Sequence, residues 1–374
     1  MHDIDKTYRS WAEIDLNALK HNLDYAKKRI GRQVICVLKA DAYGHGAVEC
    51  GKFLQENGAD MFAVASLCEA VELRENGIKI PVMILGYTPA EYADVLSDMD
   101  IQQTVVDEEH ARLLNEAARE CGKTVKVHIK LDTGMSRCGL FAQSNHKAAV
   151  DAAERIYYMS NLKVVGMFTH FAVADTPSEI DYTMNQYKNY AKVYNGLAER
   201  GIRIENCHVS NSAAIMNSSM HFDSVREGIM LYGMYPDSMP VEKGVLEPVM
   251  TLKSRVAQVR SLPRGTSVSY GRTYFAPRDI KSAVITIGYA DGYARRLSNN
   301  AYVVINGKKY PQIGRICMDM CMADVTDGDV SRGDEVTLFG KGGMSLEDVS
   351  QIVGTINYEL TCLVTKRVKR VYIK

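Results

Sequence analysis

Apolar positions in the first two thirds of the chain fall into short runs, separated by stretches where they recur every three or four residues. Runs at 34–38, 61–65, 82–86, 104–106, 125–131, 164–169, 207–209 and 224–225 read as strands. The first, Val-Ile-Cys-Val-Leu, has the uninterrupted apolar character of a strand buried on both faces. Helical spacing fills 46–58, 68–77, 89–98, 107–121, 143–156 and 178–200. Ahead of the first strand, Asp15 is placed to cap a helix whose apolar face is Leu16, Leu19, Leu23, Ala26 and Ile30, and Gly31 is placed to end it. Eight strands alternating with helices predict a (β/α)8 barrel, with an open doubly wound sheet as the competing arrangement.

Beyond residue 245 the pattern changes. Runs at 250–262, 282–287, 301–305, 309–313 and 334–339 read as strands of a mostly β region, with one helix at 345–353. Asn306-Gly307 between two of these runs is the dipeptide of a type I′ hairpin, where both central residues need positive φ. The expected division is a barrel over 11–245 and a β domain over 246–374, with residues 1–10 packing on the latter. Neither a Ser/Gly/Pro linker nor an internal repeat interrupts the chain, so the two parts should pack tightly.

Composition narrows the function classes. The 374 residues carry 45 Lys+Arg against 45 Asp+Glu, which leaves no basic footprint for nucleic acid or an anionic membrane. A 46% hydrophobic and 24% charged chain is globular. No apolar run approaches the ~18 residues of a spanning helix, and the opening residues carry no secretion-signal pattern. Nine cysteines without paired spacing predict reduced thiols and a cytoplasmic protein.

Barrel enzymes place reactive groups at the C-terminal ends of their strands. Those ends supply Lys39, then Lys130 with Asp132, His170, His208 with Ser210-Asn211-Ser212, and Arg226. Lys39 follows an apolar run, where burial lowers an amine's pKa and yields a nucleophile fit for a Schiff base; snorkelling out of the strand end is the plain alternative. Ala40 to Gly46 reads as a glycine-bearing loop able to approach an anion. Ser212 either caps a helix at 213–219 or holds a phosphate, and Arg226 with Gly228-Ile229 lies where barrels bind phosphate. A second reading assembles a metal-dependent hydrolase from Lys130, His170, His208 and Asp223, against which Lys39 stands where such enzymes carry His-x-His. Cys317 and Cys321 have no second pair to complete a zinc site.

Together the motifs resemble the alanine racemases, from about Ser10 to the C-terminus. They are Val37-Leu-Lys-Ala-Asp-Ala-Tyr-Gly-His-Gly46, His128-Ile-Lys-Leu-Asp-Thr-Gly-Met-Ser-Arg137, 208–214, 226–233, Ser269-Tyr-Gly271, 287–293 and 314–319. The resemblance implies a pyridoxal 5′-phosphate enzyme with a barrel and a C-terminal β domain. Lys39 would join the cofactor and take the α-proton of the D-substrate, and Tyr270 would be the opposing base for the L-substrate. Arg226 would face the pyridine nitrogen, with His170 bridging toward Tyr270. Tyr43, Asn211, Ser212, Gly228, Ile229 and Tyr358 would hold the cofactor. Arg137 and the Met318 backbone would orient the substrate carboxylate, with Lys130 carbamylated to steady Arg137. Tyr289 and Asp319 would line the substrate route. The family completes its site across a homodimer, so Tyr270, Cys317 and Met318 are expected to act on the partner's cofactor.

The implied reaction interconverts L- and D-alanine and supplies D-alanine for peptidoglycan. A serine or broad-specificity racemase shares the scaffold. An amino-acid decarboxylase is disfavoured by Arg226, and a cofactor carrier without turnover by the complete β domain. The chain departs from the family at Met320, where a polar residue is usual, at Thr361, where proline is common, and in the basic tail 365–370.

Overall fold

The computed structural model describes residues 8–236 and 244–374. Strand β1 (Ser10–Asp15) leads directly into helix α1 (Leu16–Ile30). The Asp15 carboxylate accepts from the Ala18 N–H at 3.0 Å, and Gly31 closes the helix at φ 60° with its N–H on the Lys27 carbonyl.

Eight parallel strands then form a closed barrel. They are β2 (Gln33–Val37), β3 (Met61–Val64), β4 (Val82–Ile84), β5 (Ile101–Val105), β6 (Val125–Asp132), β8 (Leu162–Phe168), β9 (Asn206–His208) and β10 (Ser224–Glu227). Each pairs with the next, and β10 returns to β2, which closes the ring and excludes the open sheet. A two-residue spur, β7 (Leu140–Phe141), pairs with the end of β6. Helices Ala47–Glu56, Leu67–Glu75, Ala93–Asp98, Glu108–Glu120, His146–Tyr157, Ile180–Glu199 and Ser212–Asn217 surround it with α1. Both strand faces are therefore buried, as the apolar runs require.

The β domain is built on β11 (Met250–Leu262), whose first half pairs with β1 and whose second half pairs with another strand. The remaining strands are β12 (Ser267–Val268), β13 (Tyr274–Phe275), β14 (Ile280–Ile285), β15 (Tyr302–Ile305), β16 (Lys308–Pro311), β17 (Cys321–Asp324), β18 (Glu335–Phe339) and β19 (Lys369–Ile373). One path runs β16-β15-β18-β11-β1-β19, and β14 joins β11 to β17. The hairpin between β15 and β16 turns at Asn306 (φ 50°) and Gly307 (φ 75°), the left-handed pair of a type I′ turn.

Six strands, β1, β7, β12, β13, β17 and β19, lie where the sequence pattern gives none. β1 is a six-residue strand running straight into a capped helix, and it belongs to the β-domain sheet, with Ala12 and Ile14 buried. β19, within the basic tail, pairs with β1 in parallel. It opens with two adjacent charged residues, Lys369 and Arg370, as suits an edge strand. Helices Leu346–Val353 and Asn357–Leu363 precede it, and the second packs against the barrel loop after β2.

Candidate active site

The C-terminal end of the barrel gathers Lys39, Lys130, His170, His208 and Arg226. Arg226 is 3% exposed, and the two terminal nitrogens of its guanidinium are turned to the barrel itself. Nη1 lies 2.6 Å from His208 Nδ1 and donates to the His208 carbonyl, while Nη2 donates to the carbonyls of Thr169 and Val209 and lies 3.3 Å from His170 Nδ1. Burial, with Arg137 adding, pulls Arg226 down to about 9, which leaves it cationic at neutral pH. Burial and the cationic Arg226 depress both His170 and His208, so the imidazoles are neutral. Lys39 is lowered first by burial and then by Arg137, with Arg226 contributing less. Lys39, Lys130, Arg137 and Arg226 thus crowd together, and none has a carboxylate in ion-pair range among the described residues.

The segment after Lys39 is a turn rather than an open loop. Ala40, Asp41, Ala42 and Tyr43 all take φ between 52° and 54°, one turn of left-handed helix made by four residues with side chains. Such a turn costs about 1–2 kcal/mol per residue. Tertiary contacts hold it: Asp41 Oδ1 accepts from the Ala47 N–H at 2.7 Å, Glu69 Oε1 from the Ala40 N–H at 2.7 Å, and Arg370 Nε donates to the Gly44 carbonyl at 2.9 Å. Gly44 itself is required, since a Cβ there would stand 2.2 Å from the Thr361 carbonyl oxygen. The turn swings Tyr43 inward, 5.2 Å from the Tyr232 ring and edge-on to Tyr358 at 6.3 Å.

Tyr43 meets a backbone cradle. Asn211, not Ser212, is the helix cap, accepting from the Ala214 N–H at 3.1 Å. The Ser212 hydroxyl is turned to β10, where it accepts from the N–H groups of Gly228 (3.0 Å) and Met230 (3.4 Å). A Cβ on Gly228 would stand 3.2 Å from Tyr43 Oη and 3.6 Å from Ser212 Oγ, so glycine keeps this space open. Ile229 begins the 3-10 turn that follows.

The four residues of the hydrolase reading do not meet. Asp223 precedes β10, at the opposite end of the barrel, and its carboxylate accepts from the Cys207 N–H at 2.8 Å. His170 and His208 both face the guanidinium of Arg226, which repels a metal ion. No group of three or more His, Cys, Asp or Glu able to hold a metal occurs among the described residues.

Comparison with known proteins gives the same picture. The alanine racemase N-terminal domain matches residues 14–236, and the alanine racemase C-terminal domain matches 249–372. An alanine racemase of Clostridium novyi (strain NT) is 44% identical over 373 residues, covering 97% of this chain and 95% of that protein. The solved alanine racemase from Streptomyces coelicolor A3(2) is 34% identical, with a TM-score of 0.92 and 100% of both chains covered. The chain belongs to the alanine racemase family. The scaffold also occurs in a histidine racemase from Leuconostoc mesenteroides subsp. sake NBRC 102480, 28% identical, with a TM-score of 0.89 and 99% of each chain covered. Family membership makes the chain an isomerase of the racemase type.

The remaining residues singled out by family resemblance lie on the β domain. The N–H groups of Tyr289 and Ala290 donate to the carbonyls of Cys317 and Met318 at 3.1 and 3.0 Å, which joins the two loops. A Cβ on Gly288 would stand 2.3 Å from the Cys317 oxygen, so this join also requires glycine. Buried Asp291 anchors it from below, held bidentately by Arg9 at 2.8 and 2.9 Å. Arg367 reaches Asp319 at 2.7 Å and holds its carboxyl below the usual range. Ser269 donates to the Arg315 carbonyl at 2.6 Å and sets Tyr270 beside these loops. Tyr270 is 71% exposed, and Tyr289 and Met318 are exposed with it. No hydrogen bond or ring contact ties Tyr270 to the barrel among the described residues.

Sequence reasoning missed several supporting residues of this alanine racemase scaffold. Arg9, Asp291 and Arg367 work only through partners distant in sequence. Arg370 gives the basic tail a purpose: besides Gly44 it donates to the carbonyls of Val364, Thr365 and Val368. His128 sits inside a quoted motif, yet nothing in one strand shows that it touches His208 at 3.1 Å.

Proposed function

We propose that this chain is a pyridoxal 5′-phosphate-dependent alanine racemase, working by two bases in a homodimer and supplying D-alanine for peptidoglycan in the cytoplasm. The observation that carries the reading is the cluster of basic side chains at the barrel end, with Lys130 and Arg226 buried and no carboxylate in ion-pair range among the described residues, beside the cradle that Gly228 keeps open. An anionic, phosphorylated cofactor fits both features. Bound there, the cofactor supplies an electron sink that acidifies the α-hydrogen of an amino acid.

The chain's own groups then divide the work. Tyr43, Ser212, Gly228, Ile229 and Tyr358 would hold the phosphate, with Asn211 also at the cofactor. Lys39 anchors the cofactor through its amine, and its Nζ takes or returns the α-proton on one face. Tyr270 of the partner does the same on the other face, each base contributing about 10²–10⁴-fold. Arginine has only donors, so Arg226 keeps a proton off the pyridine nitrogen. The weakened sink favours prompt return of the proton, which suits racemisation. With His170 Nδ1 facing the Arg226 donor, its Nε2 carries the proton and is offered to the Tyr270 oxygen, easing phenolate formation.

Arg137 and the Met318 backbone orient the substrate carboxylate, while Tyr289 and Asp319 line the route to it. Lys130, as a carbamate, would place an anion beside Arg137. The exposure of Tyr270, Tyr289 and Met318 supports a partner subunit completing the site. Nine free cysteines support a reducing compartment. Alanine as substrate follows the names of the relatives; a serine or broad-specificity racemase is the alternative, and the histidine racemase shows that the scaffold admits other side chains.

Two measurements test the reading. Borohydride reduction of purified protein supplied with the cofactor should bleach a visible band and label Lys39; a protein that stays colourless and unlabelled sinks the cofactor assignment. Incubation of the holoenzyme with L-alanine, L-serine and L-histidine separately, followed by chiral chromatography, should yield D-alanine fastest. Faster D-serine formation would reassign the substrate.

A further inference from the structure

Lys130 is 4% exposed at the end of β6, and its Nζ has one hydrogen-bond partner among the described residues, Cys138 Sγ at 3.0 Å. The backbone enforces the pairing. β7 pairs with β6 through Leu131 and Leu140, and the Ala142 N–H donates to the Asp132 carbonyl at 2.9 Å. Between them Gly139, at φ 121°, lies so close to β6 that a Cβ would stand 2.9 Å from the Lys130 carbonyl oxygen. Cys138 is thereby pressed onto Lys130 and stays part-exposed beside Arg137.

The surroundings make the amine a nucleophile. Its other neighbours are the Phe168 ring, 5.6 Å from Nζ to the centroid, and the cations Arg137 and Arg226. Burial first, and then Arg137 and Arg226, lower its pKa and favour the neutral form, against the opposing pull of the Cys138 contact. An amine in this state, without a counterion and touching sulfur, is suited to attack an electrophile delivered to that sulfur.

We propose that Lys130 and Cys138 form a peroxide-responsive modification site, in which the amine captures the oxidised sulfur as an N–S bond. In the first step the Cys138 sulfur attacks a peroxide oxygen while the thiol proton passes to the departing oxygen: an S–O bond forms, the O–O bond breaks and water leaves. The sulfur is oxidised by two electrons to the sulfenic acid, and the peroxide is reduced. In the second step the Lys130 lone pair attacks that sulfur: an N–S bond forms, the S–OH bond breaks, and hydroxide leaves with an amine proton as a second water. A small thiol reverses the bond by attacking sulfur and releasing the amine, and a second thiol equivalent restores Cys138. The cross-link immobilises the loop that carries Arg137. It also removes the amine from carbamylation, so carbon dioxide and oxidised sulfur compete for one nitrogen; this competition alone rests on the proposed role of Lys130.

The test uses the holoenzyme, purified under reductant and then treated with hydrogen peroxide, with and without bicarbonate. Peptide mapping should find the segments carrying Lys130 and Cys138 joined, lighter by two hydrogens than their sum. Racemase activity should fall by at least about tenfold and return on adding dithiothreitol. Bicarbonate should slow the joining, and Cys138→Ser should neither join nor lose activity reversibly. Sulfinic acid at Cys138 without joining, a disulfide to another cysteine, a joined pair carrying an extra oxygen, or the same reversible loss in Cys138→Ser would each overturn the N–S bond. Equal rates with and without bicarbonate would overturn the competition. The mapping reads mass rather than turnover, so its result is independent of whether the chain racemises alanine.

Discussion

Arg226 Nη1 lies 2.6 Å from His208 Nδ1, and that one contact fixes the protonation of two histidines. A guanidinium cannot accept, so Nδ1 of His208 must, and its proton sits on Nε2. That group lies 3.1 Å from His128 Nδ1, which must accept in turn, and His128 Nε2 then donates to Gln102 Oε1 at 2.7 Å. The chain of donors crosses the barrel and braces Arg226 from behind. His128→Phe leaves the His208 N–H buried without an acceptor, at a cost of about 1–3 kcal/mol. Gly166→Ala should act through the same ring, because a Cβ there would stand 2.1 Å from His128 Nδ1. Urea denaturation measures both variants, and ¹⁵N spectra showing His208 protonated on Nδ1 would refute the assignment.

The same burial gives stability a pH dependence of known sign. His128 is pulled down to about 3 and His45 to about 4, both by burial, with Arg226 adding at His128 and backbone acceptors opposing the shift at His45. Between those values and the ordinary pKa of ~6.5 the unfolded chain binds protons that the folded chain does not. Stability is therefore full above about pH 6.5 and falls as pH drops through 6 and 5, by up to about 1.4 kcal/mol per histidine per pH unit. Melting temperatures from pH 7.5 to 5 check this. A His45→Gln variant should show a shallower decline than the parent, and an unchanged slope would remove His45 from the account.

Ala40 offers a test of the left-handed turn. In a right-handed helix Ala→Gly destabilises by roughly 0.5–1 kcal/mol. Here Ala40 sits at φ 53°, exposed, where the Cβ is the source of strain. Ala40→Gly should leave stability unchanged or raise it by up to about 1 kcal/mol, and Ala40→Val should lower it by more than about 1 kcal/mol. Chemical denaturation that ranks Gly below Val would contradict the geometry.

Arg370 ties the last strand to that turn through four backbone carbonyls, of Gly44, Val364, Thr365 and Val368. Arg370→Gln leaves most of them without a donor and should destabilise the protein by about 2–4 kcal/mol. The loss should be felt at Lys39 as well, because the turn positions it. Equilibrium dialysis should show weaker pyridoxal phosphate retention in the variant at a temperature where it stays folded. Unchanged retention would confine Arg370 to a structural role.

The architecture was legible because both of its signals are periodic and local. The run at 34–38 and the helix face from Leu16 to Ile30 each declare their burial within a few residues. β1 escaped notice because its six residues pair only with β11 and β19, more than two hundred positions away. The turn after Lys39 escaped for a different reason: nothing intrinsic to Ala40-Asp-Ala-Tyr43 favours positive φ, and contacts from Glu69, Ala47 and Arg370 impose it. Site candidates followed from strand ends, but a single strand cannot display a pair such as Arg226 with His208, or Lys130 with Cys138.

Tyr270 decides whether the catalytic unit is one chain or two. Its ring is 71% exposed, while Lys39 is half-buried in the barrel. If the tyrosine serves the partner's barrel, each site takes Lys39 from one subunit and Tyr270 from the other. Lys39→Ala and Tyr270→Ala homodimers should each be nearly inactive, losing at least about 10²-fold. Mixing the two and allowing subunits to exchange yields hybrids in which one site carries both defects and the other carries neither. Half of a random mixture is hybrid and half of its sites are intact, so activity should recover to about a quarter of the parent's. A site built from one chain has no intact combination in the hybrid and would recover nothing. Recovery that scales with the hybrid fraction, measured by native mass spectrometry, therefore separates the two arrangements without a structure of the dimer.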